Sequence, residues 1–142
     1  MRIAFAFTLF AWPAAAWQFS PSPICTLTET TVDGTLTITY DASLPEYVIT
    51  ITLPDTRWPK APEFAMAFSG NQPIALRTER HQLSDDRRSL TVTDTGFGNV
   101  LNGLEFNLRA YATSGGTTVG FTLTDIGPAI RDFRNCPAAN VA

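Results

Sequence analysis

Apolar and polar residues alternate with a period of two through most of this chain, and threonine repeatedly fills the polar positions. Segments 35–40, 47–53 and 118–124 show the pattern most clearly. A period of two places successive side chains on opposite faces of a β-strand. Because β-branched threonine suits a half-buried pleated surface, the chain is expected to form strands with one buried face and one solvated face.

Residues that favour turns separate the alternating segments. Asp33-Gly34 is a dipeptide typical of tight hairpins, and segment 114–117 contains two adjacent glycines. Three prolines keep segment 54–62 out of a sheet. Short strands without intervening helices predict an all-β fold, either an antiparallel β-sandwich or a small barrel of about eight strands. The predicted strands are 26–31, 35–40, 47–53, 63–69, 73–78, 89–94, 104–112 and 118–124.

One short C-terminal helix is predicted at residues 128–136. Pro128 suits a first helical turn, and Ile130, Phe133 and Cys136 recur at a spacing that puts them on one helical face. The chain length fits a single domain, assigned to residues 17–137. Residues 138–142 are expected to form a tail.

The first 16 residues have the pattern of a cleaved secretory signal peptide. Arg2 precedes an uncharged apolar run at 3–12, and Pro13 and the alanines at 14–16 follow it. The run is shorter than the roughly 20 apolar residues that span a bilayer. The pattern therefore predicts export to the periplasm or beyond, a mature chain that begins at Trp17, and no stable membrane anchor.

The chain has two cysteines, Cys25 and Cys136, near the two ends of the mature sequence. An oxidising compartment favours a disulfide between them, and two distant thiols with a single histidine do not make a zinc site. A bridge closing a loop of about 110 residues would stabilise the fold by about 4–5 kcal/mol on the chain-entropy model.

The charge balance argues against two classes of partner. The formal net charge is −3, and loss of Arg2 with the signal peptide makes it one unit more negative. Nucleic-acid binding proteins need a basic patch, and anionic membrane surfaces attract basic segments. Neither partner is expected, and the sequence indicates no cofactor and no metal.

The glycine-containing segment 96–103 resembles a phosphate-binding loop only superficially. It lacks the lysine and hydroxyl residues of a P-loop and lies between predicted strands. It is predicted to be a shaped loop whose glycines adopt positive φ angles. A ligand contact is the alternative, since Asp94, Asn99 and Asn102 would place polar groups at one rim.

His81 is the only histidine and therefore the natural candidate for a general base near neutral pH. Ser84 and Asp94 are its candidate partners in a small hydrolase, but the chain has no G-x-S-x-G elbow. Asp94 with Asp85 and Asp86 is also a candidate for calcium, although a loop of spaced oxygen ligands is missing.

Trp58 lies in a predicted loop between Arg57 and Lys60. One hypothesis is that its ring caps the edge of the core. The other is that it forms a recognition contact, since Trp and Arg are enriched at interface hot spots.

The mature chain resembles a group of small exported proteins of Gram-negative bacteria that have no assigned reaction. The similar stretches are WQFSPSPIC at 17–25, LPEY at 44–47, residues 91–107, and FRNC at 133–136. Some members carry the label of a DNA-repair excinuclease component. This chain has no P-loop and no helicase-sized α/β core, so that activity is not expected. The resemblance implies no site residues.

The expected function is that of a periplasmic, non-catalytic binding or accessory protein of the cell envelope. Two alternatives stay open: a small periplasmic hydrolase that uses His81, and an inhibitor or structural partner of another envelope protein. The partner would be an envelope protein or a small ligand. The candidate recognition residues are Trp58, Asp94, Asn99 and Asn102, and no catalytic residue is assigned.

Overall fold

The computed structural model describes residues 17–139, with side chains as far as residue 136. The predicted signal peptide lies outside the described residues. The described chain forms ten strands and two helices: β1 (Trp17–Ser20), β2 (Cys25–Thr30), β3 (Thr35–Asp41), β4 (Glu46–Thr52), β5 (Phe64–Gly70), β6 (Ile74–Thr78), β7 (Gln82–Leu83), β8 (Ser89–Asp94), α1 (Gly98–Glu105), β9 (Asn107–Ser114), β10 (Thr117–Thr122) and α2 (Gly127–Ala139).

The strands form two antiparallel sheets, which confirms the predicted all-β sandwich class. One sheet has six strands in the order β1-β2-β3-β4-β8-β7, and the other has four in the order β10-β9-β5-β6. The inward-facing side chains of both sheets belong to a common hydrophobic core, together with buried residues of both helices. The two predicted tight turns join β2 to β3 and β9 to β10. In the second, Gly115 and Gly116 have φ of 58° and 86°, as a type I′ hairpin turn requires.

The outer face of the six-stranded sheet carries the threonines that the alternation predicted. Thr28, Thr37, Thr50 and Thr91 lie opposite one another across β2, β3, β4 and β8. The Thr28 and Thr37 hydroxyls are 2.9 Å apart and share a hydrogen bond. Their strand neighbours on the inner side include Leu27, Ile38, Ile49 and Leu90, so each strand separates a wet face from a buried one.

Two of the ten strands were not predicted. β1 has four residues and β7 has two, too few for alternation to be recognised. The predicted strand 104–112 is wrong at its start, because the chain is helical up to Glu105 and β9 begins at Asn107.

Helix α1 replaces the predicted loop at 96–103, so that prediction is wrong. Leu101 and Leu104 are buried on the core side of the helix. Gly103 packs against the ring of Phe68, and a Cβ added there would lie 2.5 Å from that ring. Glycine and asparagine are poor helix formers, so packing of the apolar face, rather than local propensity, stabilises this helix. None of its glycines has a positive φ.

Trp17 closes one side of the sandwich. Its indole Nε1 donates a 2.8 Å hydrogen bond to the carbonyl oxygen of Thr122 on β10. Its ring lies 6.5 Å from that of Phe121. Since β1 and β10 are edge strands of different sheets, this tryptophan joins the two sheets along one side.

The predicted disulfide and C-terminal helix are both confirmed. Cys25 and Cys136 are bonded, with Cα atoms 6.0 Å apart. Helix α2 packs against β1 and β2 and buries Ile130 and Phe133, as its spacing predicted. It is longer than the predicted 128–136, and the expected tail is helical at residues 138 and 139.

Replacing both cysteines with alanine is expected to preserve the sandwich while lowering the free energy of unfolding by about 2–5 kcal/mol. The bond closes a loop with a sequence separation of 111 residues, and its loss restores the conformational freedom of the unfolded chain. Urea unfolding followed by circular dichroism measures the difference. A variant as stable as the wild type, or two free thiols titrated in denatured, unreduced protein produced in an oxidising compartment, would contradict this role.

Candidate functional site

A cleft of about 460 Å³ lies between the two sheets, at the side away from Trp17. Ile49 and Val92, from β4 and β8, form one wall, and Met66 and Leu76, from β5 and β6, form the other. All four occupy inward-facing positions of alternating strands. The cleft is therefore an extension of the sandwich core that reaches the surface.

The apolar character of the cleft comes from residues that the core covers only in part. Leu76, Val92 and Val100 pack against the core but are partly exposed. Ile49 and Met66 beneath them are each 2 % exposed. A bound apolar group would remove the exposed surface of the first three residues from water, at about 25 cal/mol per Å².

The beginning of α1 forms one end of the cleft. Gly96, Gly98, Asn99 and Val100 line it, and no side chain caps the helix at Phe97. The Phe97 ring is buried and stacks on Tyr47, with ring centroids 5.4 Å apart. This stacking fixes the position at which the helix begins beside the cleft.

Two ion pairs lie at the rim. Arg80 Nη2 is 3.6 Å from Asp94 Oδ2, and the two side chains are 78 % and 43 % exposed. Arg77 Nη1 donates a 3.0 Å hydrogen bond to Glu63 Oε1. Exposed pairs of this kind contribute little stability. Their main consequence is that each rim arginine has a carboxylate beside it.

The structure brings together two of the four candidate recognition residues. Asp94 and Asn99 both line the cleft. Asn102 lies elsewhere, and its Oδ1 accepts a 2.8 Å hydrogen bond from Arg134 Nη2 of α2. Arg134 Nε also lies 2.7 Å from Glu105 Oε1, so Asn102 belongs to the contact between the two helices.

Trp58 does not belong to an exposed surface. Its side chain is 0 % exposed, and its Nε1 donates a 3.0 Å hydrogen bond to the carbonyl oxygen of Ile51. The ring meets Phe64 edge to face at 6.5 Å. The expectation of a recognition contact at Trp58 is therefore corrected, because the chain around it folds back onto the core and buries the indole.

Ser84 and Asp94, the two side chains considered as partners of His81 in a hydrolase, are engaged with other residues. The Ser84 hydroxyl donates to Asp86 Oδ1 at 2.6 Å and accepts from the Ser89 N–H at 3.0 Å. Asp94 pairs with Arg80. Among the described residues, the buried His81 Nδ1 has no hydrogen-bond partner. The geometry thus assembles no nucleophile, base and orienting carboxylate of the kind that acyl transfer needs.

The considered calcium ligands are also separated. Asp86 accepts from Ser84 and from the Arg88 N–H at 3.0 Å, whereas Asp94 lies beside Arg80. In the described part of the chain, no three His, Cys, Asp or Glu side chains are grouped to hold a metal ion. None of the helices in these residues is long and apolar enough to cross a membrane.

Glu29 is a buried carboxylate that the sequence patterns did not single out. It occupies an inward-facing position of β2, opposite Leu36 of β3, and is 3 % exposed. Burial and the nearby Asp125 raise the pKa of this carboxyl, against a hydrogen bond from the Thr30 N–H that lowers it. The alternation places Glu29 on the same face as Leu27, and this shared face is the signal that could have identified it.

Glu29→Gln is expected to raise the melting temperature at pH 7. Because the folded-state pKa of Glu29 lies above its unfolded value, the ionised form destabilises the fold at neutral pH. The gain should shrink as the pH falls through the folded-state pKa and vanish below the unfolded value. Thermal unfolding from pH 7 to pH 3 measures it.

Glu79→Gln is the matched control, since Glu79 is an exposed glutamate after β6. It should leave the melting temperature nearly unchanged at every pH. If Glu29→Gln lowers the melting temperature at pH 7, the ionised carboxylate has a stabilising partner and this account of Glu29 is wrong.

No protein-family model matches this chain, and neither a curated protein nor a solved structure shows significant similarity to it. Its function therefore has to be inferred from the cleft and its rim.

Proposed function

We propose that this chain is an exported, periplasmic, non-catalytic binding protein of the cell envelope, and that it holds the apolar part of its ligand in the cleft between the two sheets. The observation that carries the proposal is the cleft itself, a concave site of about 460 Å³ with apolar walls and polar groups at its rim. Ligand sites typically combine these two features.

The burial pattern supports a site that is open before ligand arrives. Leu76 and Val92 face each other from different sheets and keep exposed surface at the cleft. By contrast, Phe68 and Leu90, which face inward from the same two sheets, are at most 3 % exposed. Apolar surface left uncovered beside a well-packed core is typical of an interaction site.

Three observations support the non-catalytic assignment and export. The hydroxyl of Ser84 is hydrogen-bonded to Asp86 and to the Ser89 N–H, and the carboxylate of Asp94 is paired with Arg80. The disulfide between Cys25 and Cys136 fits an oxidising compartment. The resemblance to exported Gram-negative proteins points in the same direction.

Phenylnaphthylamine, an uncharged fluorescent probe, is expected to bind the wild-type protein with increased fluorescence. Leu76→Asn should weaken its binding on the order of tenfold, because about 1.4 kcal/mol of apolar contact corresponds to that factor in Kd. A fluorescence titration measures both dissociation constants.

Leu83→Asn is the matched control. Leu83 is also a partly buried leucine on a short edge strand, but it lies on β7 and does not line the cleft. Its substitution should leave probe binding unchanged. If the wild type does not bind the probe, or if both variants lose binding equally, the cleft is not the site.

A further inference from the structure

We infer that the ligand of the cleft is an extended peptide segment of another protein, which adds a strand to the free edge of β6. The inference rests on the proposed function, since it names the class of ligand for the same cleft. It follows from the two strands that border the opening and from the spacing of their side chains.

The first observation is the free edge of β6. Among residues 17–139, this strand pairs with β5 on one side and has no partner strand on the other, where it ends the four-stranded sheet. Its five residues, Ile74–Thr78, extend about 17 Å at roughly 3.3 Å per residue. The outward N–H and C=O groups of an edge strand form a template that an added strand can pair with.

The second observation is that the opposite sheet ends early at the same opening. β7 pairs only with Thr91 and Leu90 of β8. The last three residues of β8, Val92 to Asp94, have no strand on that side among the described residues. In the described residues no strand therefore covers this part of the cleft, and a strand added beside β6 would lie over it.

The third observation is the spacing of the cleft side chains. Leu76 and Thr78 are two residues apart on β6 and both line the cleft. A peptide paired beside β6 would follow the same period and direct every second side chain into the cleft. In the cleft, those side chains would meet Leu76 on one wall and Val92 on the other. The site thus favours a peptide with small or branched apolar residues at alternate positions.

The charges favour a backbone-mediated contact over an ionic one. Arg77 is hydrogen-bonded to Glu63 and Arg80 is paired with Asp94, so each rim arginine already has a carboxylate beside it. Natural edge strands are usually protected by lysine, proline or a bulge. β6 has only Arg77 as a charged residue, and that side chain is engaged with Glu63.

The test uses an acetylated hexapeptide of alternating threonine and valine, with one added C-terminal lysine for solubility. Two N-methylated isomers accompany it, one methylated at the valine nitrogens and one at the threonine nitrogens. Alternate amides of a strand point to the same side, so the two isomers block opposite edges with identical side chains. Isothermal titration calorimetry gives the affinities, and amide chemical shifts locate the contact.

The unmodified peptide is expected to bind and to shift the amides of residues 74–78. One N-methylated isomer should bind at least tenfold more weakly than the other. Leu76→Asn should weaken peptide binding, whereas Leu83→Asn should not. Equal affinity of the two isomers, or shifts that avoid β6, would overturn pairing at this edge.

Three further results test this inference against the function on which it rests. If phenylnaphthylamine binds in a Leu76-dependent way and the peptide does not bind, the cleft is a site for a small ligand and the peptide inference is wrong. If neither binds, both are wrong. If sedimentation shows a dimer that Leu76→Asn dissociates, the occupant is a second copy of this chain, which also overturns the inference.

Discussion

The bond between Cys25 and Cys136 lies at the closed side of this sandwich and fastens it covalently. It fastens helix α2 across the beginning of β2 and so holds both ends of the described chain at one side. Trp17 completes the closure there with its hydrogen bond to Thr122 of the other sheet. A sandwich of two open sheets has two sides to protect, and here the covalent bond, the helix and the indole all protect the same one.

The opposite side has no comparable closure in the described part of the chain. The connection from β6 to β7 crosses between the sheets, and β7 then covers only two residues of β8. Apolar residues that would otherwise be core, Leu76 and Val92, are left at the surface. The cleft thus arises because β7 is too short to cover the end of β8. The same alternation that builds the core supplies its apolar walls, and helix α1 forms one end.

Several features of this fold can be predicted from local patterns. The strands 35–40, 47–53 and 89–94 follow from alternation, and the turn at Gly115 from glycine chemistry. The helical face of Ile130 and Phe133 follows from its spacing, and the disulfide follows from the predicted export and the cysteine count. Each depends on neighbours in sequence or on composition, which a single chain displays directly.

The features that the sequence did not predict depend on contacts between distant segments. Helix α1 forms from poor helix formers because Gly103 can approach Phe68 closely. Trp58 is buried because its loop folds back onto the core, where the carbonyl oxygen of Arg87 accepts its backbone N–H and that of Ile51 accepts its indole N–H. The candidate site combines a predicted and an unpredicted part. Asp94 and Asn99 were expected at one rim, whereas the apolar walls of the cleft become adjacent only when the two sheets pack.

The central claim is that this sandwich is closed at the disulfide side and open along β6. Amide hydrogen exchange of the free protein, followed by NMR, tests it most directly. The account predicts slow exchange throughout β3, which is paired on both sides. In β6 it predicts that amides facing β5 exchange slowly and that the alternate, outward-facing amides exchange fast. Uniformly slow exchange across residues 74–78 would show that this edge is already covered and would contradict the account.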